Sequence, residues 1–469
     1  MKASNVKIID IRNNKNRCDA SYHLSEGEEV TRIISQSPYV LTNISKVSSS
    51  IFYGNRAKRV YVYRHDKGIP FLSSSDILRA DLSNVKLASK KYTVGIDQMI
   101  LEKGWILITR SGTVGNCAFS NNVYAQKMAS EHVIRLVPNG VMNSGMVYAY
   151  LASKYGYSLL TQGTFGAVIQ HIEPDFIGSL PIPVFPKPFQ EKVDTLIQES
   201  AKLREETAEY LNRAQLLLKE KANLPILTPE YYDYYGPADP NREVSTFVRN
   251  RKEIDTTTLN AFNHSERIRG LERMIGCECC HLEDVLLDGE FFSSGSFPRV
   301  EVKDKHGIML INQSDIFDNI IKGKYISKRG VKTNNLVEYG EVMIAGVGTL
   351  GENETFCRTI FANEDLEGQL VSGEFLRMKT NGKVPSGYLY AWLSSDYGFR
   401  LIRSTQTGTK LCRPIQKLLL KKKIPIIDSE SMNEIDELVR EAHTKRHKAN
   451  QMELKAISMV EQEIEKWSN

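Results

Sequence analysis

The chain has 469 residues, 41% of them hydrophobic and 25% charged, with a mean hydropathy of −0.33. This length suits two or more domains that each bury a core, and the composition is that of an ordinary globular chain rather than a disordered or membrane one. A net charge of +5 with a pI near 8.6 permits a nucleic-acid partner without demanding one.

The first residues, MKASNVKIIDIRNNKNR, are polar and mixed, with no secretory apolar segment, and no run approaches the roughly 20 apolar residues of a membrane-spanning helix. A cytoplasmic protein without a membrane partner is expected. Seven cysteines (18, 117, 277, 279, 280, 357 and 412) are odd in number and unevenly spaced, as for reduced thiols. The cluster Cys277, Cys279, Cys280 and His281 lacks a second ligand pair at zinc spacing, so no metal is expected; the role of these cysteines stays open.

Short β-like segments follow (VYVYRH, WILITR, HVIRLV), joined by polar, glycine-bearing connections. One helix-like run, MVYAYLASKYGYSLLTQ, interrupts them. The series then repeats as VEVKD, EVMIAG, EFLRMK and YLYAWLSSDYGFRLIRS. The repeat is a tandem duplication. GWILITRSGTVG at 104–115 aligns with GEVMIAGVGTLG at 340–351, and GIPFLSSSDI at 68–77 with GIMLINQSDI at 307–316. DASYH at 19–23 meets NAFNH at 260–264, and SGMVYAYLASKYG at 144–156 meets SGYLYAWLSSDYG at 386–398. TQGTFG at 161–166 echoes TQTGTK at 405–410, and LPIP at 180–183 echoes KIP at 423–425.

Each copy ends in a helix with a heptad seam. Val193, Leu196, Ser200, Leu203, Thr207, Tyr210, Ala214, Leu217 and Lys221 step by three and four. Ile435, Leu438, Ala442, Lys445, Ala449, Met452, Ala456, Met459 and Glu463 repeat those steps 242 residues on. Polar seam members leave either helix too weak to stand alone, so the two are expected to pair as an antiparallel coiled coil. Pro186, Pro188 and Pro425 precede the helices, and Asp428 or Ser429 is the expected cap of the second. From Val193 to Lys221 the first helix spans roughly 42 Å. The expected fold is α+β: a first domain over 1–187 and its helix over 188–223, then a linker and second domain over 224–427 and its helix over 428–469.

The glycine-rich loops are not nucleotide cradles. A phosphate-binding loop requires Lys and Ser or Thr after its last glycine, whereas Glu352 and Asn353 follow Gly351. No Asn/Asp-Pro-Pro-aromatic motif of a base methyltransferase is present, nor a nuclease-like cluster of carboxylates with lysine. No catalytic residue is assigned.

Binding chemistry is plainer. The loops carry hydroxyl, amide and basic side chains, the groups that contact phosphates and base edges. In the first copy the candidates are Arg56, Lys58, Arg59, Ser73, Ser74, Ser75, Arg110, Ser111, Thr113, Gln162 and Thr164; in the second they are Asn312, Gln313, Ser314, Thr349, Gln406, Thr409, Lys410 and Arg413, flanked by Lys417 and Lys421 to Lys423. The framework of the copies matches while these side chains differ, as expected of two domains that read two different targets.

RCDASYH, ILITRSGTVG and QHIEPDFIGSLPIPVFPKPFQEKV, in that order, resemble the specificity subunit of type I restriction-modification enzymes. The second copy departs from the pattern, with Asn260 for the acid and Gly346 for Arg110. The resemblance implies a non-catalytic subunit that binds an asymmetric, two-part sequence in double-stranded DNA. It further implies two modification subunits that methylate adenine with S-adenosylmethionine and a restriction subunit that uses ATP and Mg; the specificity chain itself binds no cofactor. Half-sites about one DNA turn apart would match the helix length. Two alternatives stand beside this one: target recognition for a different phage-defence or methylation-only complex, and a pseudo-twofold protein scaffold that never touches DNA.

Overall fold

Trp105–Thr109 is an apolar run flanked by glycine-bearing turns, and its residues Ile106–Thr109 form a strand buried on both faces. In this computed structural model, which describes residues 6, 8–13, 20–23, 25–56, 58–63, 65–164, 170–227, 246–303 and 306–468, that strand organises the first repeat. It pairs antiparallel with Cys117–Phe119 and with Val133–Pro138, and the latter pairs with Ser48–Tyr53. Side chains alternate along it as a strand requires. Ile106 and Ile108 face the apolar helix Ser144–Ala152 and its successor Lys154–Gln162, while Leu107 packs with Leu72, Ile77 and Tyr124 on the other side. A smaller sheet carries Gly68–Leu72, antiparallel to Lys86–Ser89 and parallel to Met128–Ala129.

The second repeat reproduces this plan in its own residues. Val342–Ala345 lies between Thr359–Phe361 and Phe375–Met378, and Gly307–Ile311 pairs antiparallel with Lys324–Ser327 and parallel with Leu370–Val371. A two-stranded ladder closes each repeat: Leu41–Asn43 with Pro181–Pro183, and Cys279–His281 with Lys423–Pro425. One strand is lost. Where the first repeat has Ser48–Tyr53, the second has only the single pairings Leu286 with Thr380 and Phe292 with Arg377.

The described chain divides into two compact units, Met1–Glu205 with Lys448–Asn469, and Glu206–His447. Each holds one repeat and part of both long helices, Lys187–Lys221 and Ser429–Glu465. The first begins a turn before its seam, with Pro188 inside its first turn, where a missing N–H costs nothing. Asp428 caps the second, its carboxylate accepting from the Ser431 N–H at 2.8 Å.

In both units the helices run antiparallel. In the first, Val193 and Ile197 share a core with Ala456, Val460 and Ile464, and the Ser200 hydroxyl donates to the Ala449 carbonyl at 2.8 Å. In the second, Ala214 and Leu218 share a core with Ile435 and Val439, and Thr207 donates to the Ala442 carbonyl at 3.2 Å. The buried row therefore differs from the expected seam at every second step of the first helix and, in the second, at alternate steps beyond Leu438. Val193, Ser200, Thr207 and Ala214 are buried as expected, but Ile197 and Leu218 are buried in place of the half-buried Leu196 and Leu217; Leu203 and Tyr210 are also half-buried. In the second helix Ile435, Leu438, Ala442, Ala449 and Ala456 are buried, Met452 and Met459 only half-buried, and Val439 and Val460 take the intervening places. The physical reason is that each helix must also cover its own repeat, so the packed stripe is broader than a two-stranded seam.

The docking contact is itself duplicated. Asp194 accepts from the Gly145 N–H at 2.7 Å and Asp436 from the Gly387 N–H at 2.6 Å. A Cβ on either glycine would lie within 2.7 Å of that carboxylate oxygen, which leaves no room for a side chain.

Candidate nucleic-acid interface

The strand Ile106–Thr109 ends because Thr109 ties the following loop back on itself. Its carbonyl accepts from Gly115 N at 3.0 Å, its hydroxyl accepts from Asn116 N at 2.9 Å and donates to the Thr113 carbonyl, and Gly112 and Gly115 turn the chain at φ of 79° and 87°. The loop's first two side chains enter a polar cluster. The Arg110 guanidinium lies 2.5 Å from Glu173 and 4.1 Å from the centre of the Tyr53 ring. Ser111 is buried, its hydroxyl 2.7 Å from His132 Nδ1.

His132 is the hub. It stacks on His171, with ring centres 6.4 Å apart, and its Nε2 is 3.6 Å from Glu131. Glu131 in turn pairs with Arg59, whose guanidinium lies over Phe71. Burial, then Arg59, Arg110, His171 and Arg56, depress the pKa of His132, so the imidazole stays neutral between the two arginines. Ser111, His132 and Glu131 superficially suggest a nucleophile with its base. With the hydroxyl covered and the carboxylate committed to Arg59, we read the group as positioning. Both carboxylates preorganise cations while leaving their bonds exchangeable for another anion or a base edge.

Backbone pairing fixes the counterpart in the second unit. Arg110 N donates to the His132 carbonyl at 2.8 Å; correspondingly Gly346 N donates to the Glu374 carbonyl at 2.9 Å. A Cβ on Gly346 would sit 2.6 Å from that oxygen. The loop is held by the Gln313 amide, which accepts from Val347 N at 3.1 Å and donates to the Val347 carbonyl, and by Gly348, paired with Cys412. Gly340 keeps the left-handed φ of Gly104, 81° against 84°, but Gly348 and Gly351 do not take up the positive φ of Gly112 and Gly115. The glycine pattern therefore marks one shared turn and two different loop paths. Beyond the loop, Glu352 accepts from Arg400 at 3.1 Å and Arg403 at 2.9 Å, and Arg358 and Arg403 both lie over Phe399.

The other expected residues are scattered by role. Arg56 and Lys58 are exposed. Ser73 to Ser75 leave the strand end that adjoins Ser130, whose N–H donates to the Leu72 carbonyl at 2.9 Å; Ser73 is bound to Asp76 as a local turn. Thr113 is exposed and Thr164 half-buried. Three glutamines are buried: Gln162 donates to Glu28 at 3.2 Å, Gln313 straps its loop, and Gln406 sits in a short ladder with Pro414. Asn312, Ser314, Thr349, Thr409, Lys410 and Arg413 are exposed; Lys417 is exposed, while Lys421 and Lys422 pair with Asp255 and Glu272. Asp19 lies outside the described residues. Tyr53, Glu131, His132, His171 and Glu173 surround Arg110 and Ser111 and were not named by sequence reasoning, since they converge from distant segments; the available signal was His132 opening a predicted strand.

Among the described residues no group of three or more His, Cys, Asp or Glu is placed to hold a metal ion, and no helix is long and apolar enough to cross a membrane. The three clustered thiols are half-buried, and burial pushes Cys279 up to about 11.

Residues 50–206 match the family described as type I restriction modification DNA specificity domain. No curated protein matches the chain significantly. Among solved structures, the chain is similar to a type I restriction-modification system S subunit from M. genitalium at 12% identity, covering 92% of this chain and 96% of that one with a TM-score of 0.36. It is similar also to an HsdS subunit from Thermoanaerobacter tengcongensis at 12% identity, covering 92% and 98%, with a TM-score of 0.27. The family match runs from the strand Ser48–Tyr53 through the first repeat into the helix Lys187–Lys221, so it is this part of the chain that is similar to the DNA specificity domain of type I restriction-modification enzymes.

Proposed function

We propose that this DNA target-recognition subunit reads a two-part, asymmetric sequence in double-stranded DNA, one part with each repeat. The observation that carries the proposal is the contrast at equivalent positions: Arg110 and Ser111, backed by His132 and Tyr53, in one repeat, and Gly346 and Val347 in the other. A guanidinium at the end of a rigid strand suits bidentate reading of guanine, whereas a glycine at that position leaves reading to exposed neighbours such as Asn312 and Thr349. Unlike side chains on a like framework select unlike bases.

The subunit supplies recognition while others supply chemistry. Two modification subunits would methylate adenine with S-adenosylmethionine, and a restriction subunit would act with ATP and Mg. Glu453 and Glu206 tie the helices to each other through Arg204 and Lys445, leaving exposed faces for those partners.

Mapping of methylated adenine across the host genome, with and without a replacement of residues 1–187 by a homologous domain, tests the reading. One half of the methylated sequence should change and the other persist. Two unchanged halves would refute it.

A further inference from the structure

Positive charge is concentrated in one part of each repeat. Residues 56–94 hold nine Lys and Arg against three Asp and Glu, and residues 295–332 hold eight against four, in a chain whose total is only +5. The remainder of the molecule is therefore net negative. Both stretches build the smaller sheet, and in both the same strand is basic: it opens with exposed Lys86 or Lys324 and runs straight into two more exposed cations. These are Lys90 and Lys91 after Ser89, and Lys328 and Arg329 after Ser327, 238 residues apart. Lys86 and Lys91 lie over the exposed rings of Tyr61 and Tyr92. Lys324 pairs with the exposed Glu301 at 2.5 Å and Lys90 donates to the Asp66 carbonyl at 3.2 Å, but among the described residues no carboxylate pairs with Lys90, Lys91, Lys328 or Arg329, so their charge is available to an external anion.

The duplication supplies the argument. Loops that follow the buried strands keep their place and change their side chains, while these turns keep both their place and their charge. A feature shared by two domains that read different sequences fits what any two DNA half-sites have in common, the phosphate backbone. We propose that the twin basic turns, Lys90–Lys91 and Lys328–Arg329, with Lys86 and Lys324, are the sequence-independent phosphate contacts of the two half-sites. The proposal rests on the DNA-reading function above. Exposed cations lose little hydration on approaching phosphate and release its condensed counterions, so their contribution is read as salt dependence.

The test uses the complex assembled with its modification subunits and two duplexes, one carrying the mapped methylated sequence and one scrambled. Binding is measured against KCl concentration for the wild type, for Lys90→Gln with Lys91→Gln, and for Lys328→Gln with Arg329→Gln. Each pair should lower the slope of log K against log salt by about 1–2, weaken both duplexes alike and leave the methylated sequence unchanged. Lys90→Arg with Lys91→Arg should restore the slope. An unchanged slope at an unchanged melting temperature overturns the proposal, and so does a shifted methylated sequence, which would make the turns base readers. Loss of a modification subunit from the purified variant complex overturns it in favour of an acidic protein surface. A wild-type complex with no salt-dependent DNA binding would overturn the function proposed above as well; normal wild-type binding with unaltered variants removes this inference alone.

Discussion

Arg377 and Glu341 form a buried two-pronged ion pair, Nε to Oε2 at 2.9 Å and Nη2 to Oε1 at 2.8 Å, with 1% of either side chain exposed. The guanidinium also donates to the carbonyls of Asn335 and Leu336. In the first repeat Arg135 holds the equivalent register position, opposite Leu107 as Arg377 is opposite Met343, but Trp105 stands where Glu341 stands. Arg135 is held by carbonyls alone, those of Met99, Ala129, Ser130 and Val133, and burial lowers its pKa to about 10. Glu341→Ala should therefore destabilise the second unit by about 3–5 kcal/mol, because it strands a buried cation. Urea unfolding measures this, and a loss below about 1 kcal/mol would show that carbonyls suffice there too.

The helix row makes a second comparison. Ile197→Ala and Leu218→Ala empty fully buried positions and should each cost about 2–5 kcal/mol, whereas Leu196→Ala and Leu217→Ala, one residue earlier and half-exposed, should cost clearly less. Thermal unfolding of the four variants decides between the rows. Equal losses would restore the simple heptad.

His443 lies between Phe361 and Tyr390, with ring centres 4.9 and 5.3 Å away, and burial, then Arg446, holds its pKa well below the usual value. A depressed folded pKa means that the unfolded chain takes up the proton first. Its contribution is thus complete above about pH 6.5 and falls by roughly 1.4 kcal/mol per pH unit below that, towards the folded pKa. Unfolding of wild type and His443→Phe at pH 7, 6 and 5 should show the variant gaining on the wild type at each step down. A constant difference would mean that the imidazole is not the titrating group.

At the interface, Arg110→Ala should weaken cognate DNA binding by about 1–3 kcal/mol and relax base preference at one position of one half-site. Competition binding against single-base variants of the methylated sequence reads this out. Uniform weakening at all positions would reassign Arg110 to the backbone. The Glu173→Gln variant, which frees Arg110 without removing it, should keep the preference.

Much of this was legible in the sequence, because duplication turns weak local patterns into a register. The paired glycines, the twin strand runs and the equal helix phases located both repeats and the antiparallel helices. The slip of the helix row was not legible: Leu196 and Ile197, like Leu217 and Leu218, are adjacent apolar residues, and spacing cannot say which one a second surface will claim. In the site, Arg110 and Ser111 stood out because they vary between otherwise matching loops. His132, His171 and Tyr53 did not, since their neighbourhood exists only once three strand ends converge. The burial of the glutamines was not legible either, because an amide that straps a loop and an amide that reads a base look identical in a sequence.

The division of the chain has a consequence for biosynthesis. Residues 206–447 form one unit from a single continuous stretch, whereas residues 1–205 share their core with 448–468. Glu453 binds Tyr148 and Arg204, Glu463 binds Tyr39, and Trp467 packs on Phe185. The half that leaves the ribosome first must therefore wait, incomplete, while the other half is synthesised and folds. Maturation runs from the middle of the chain outward, and a ribosome stalled after residue 447 would leave one half finished and the earlier half still open.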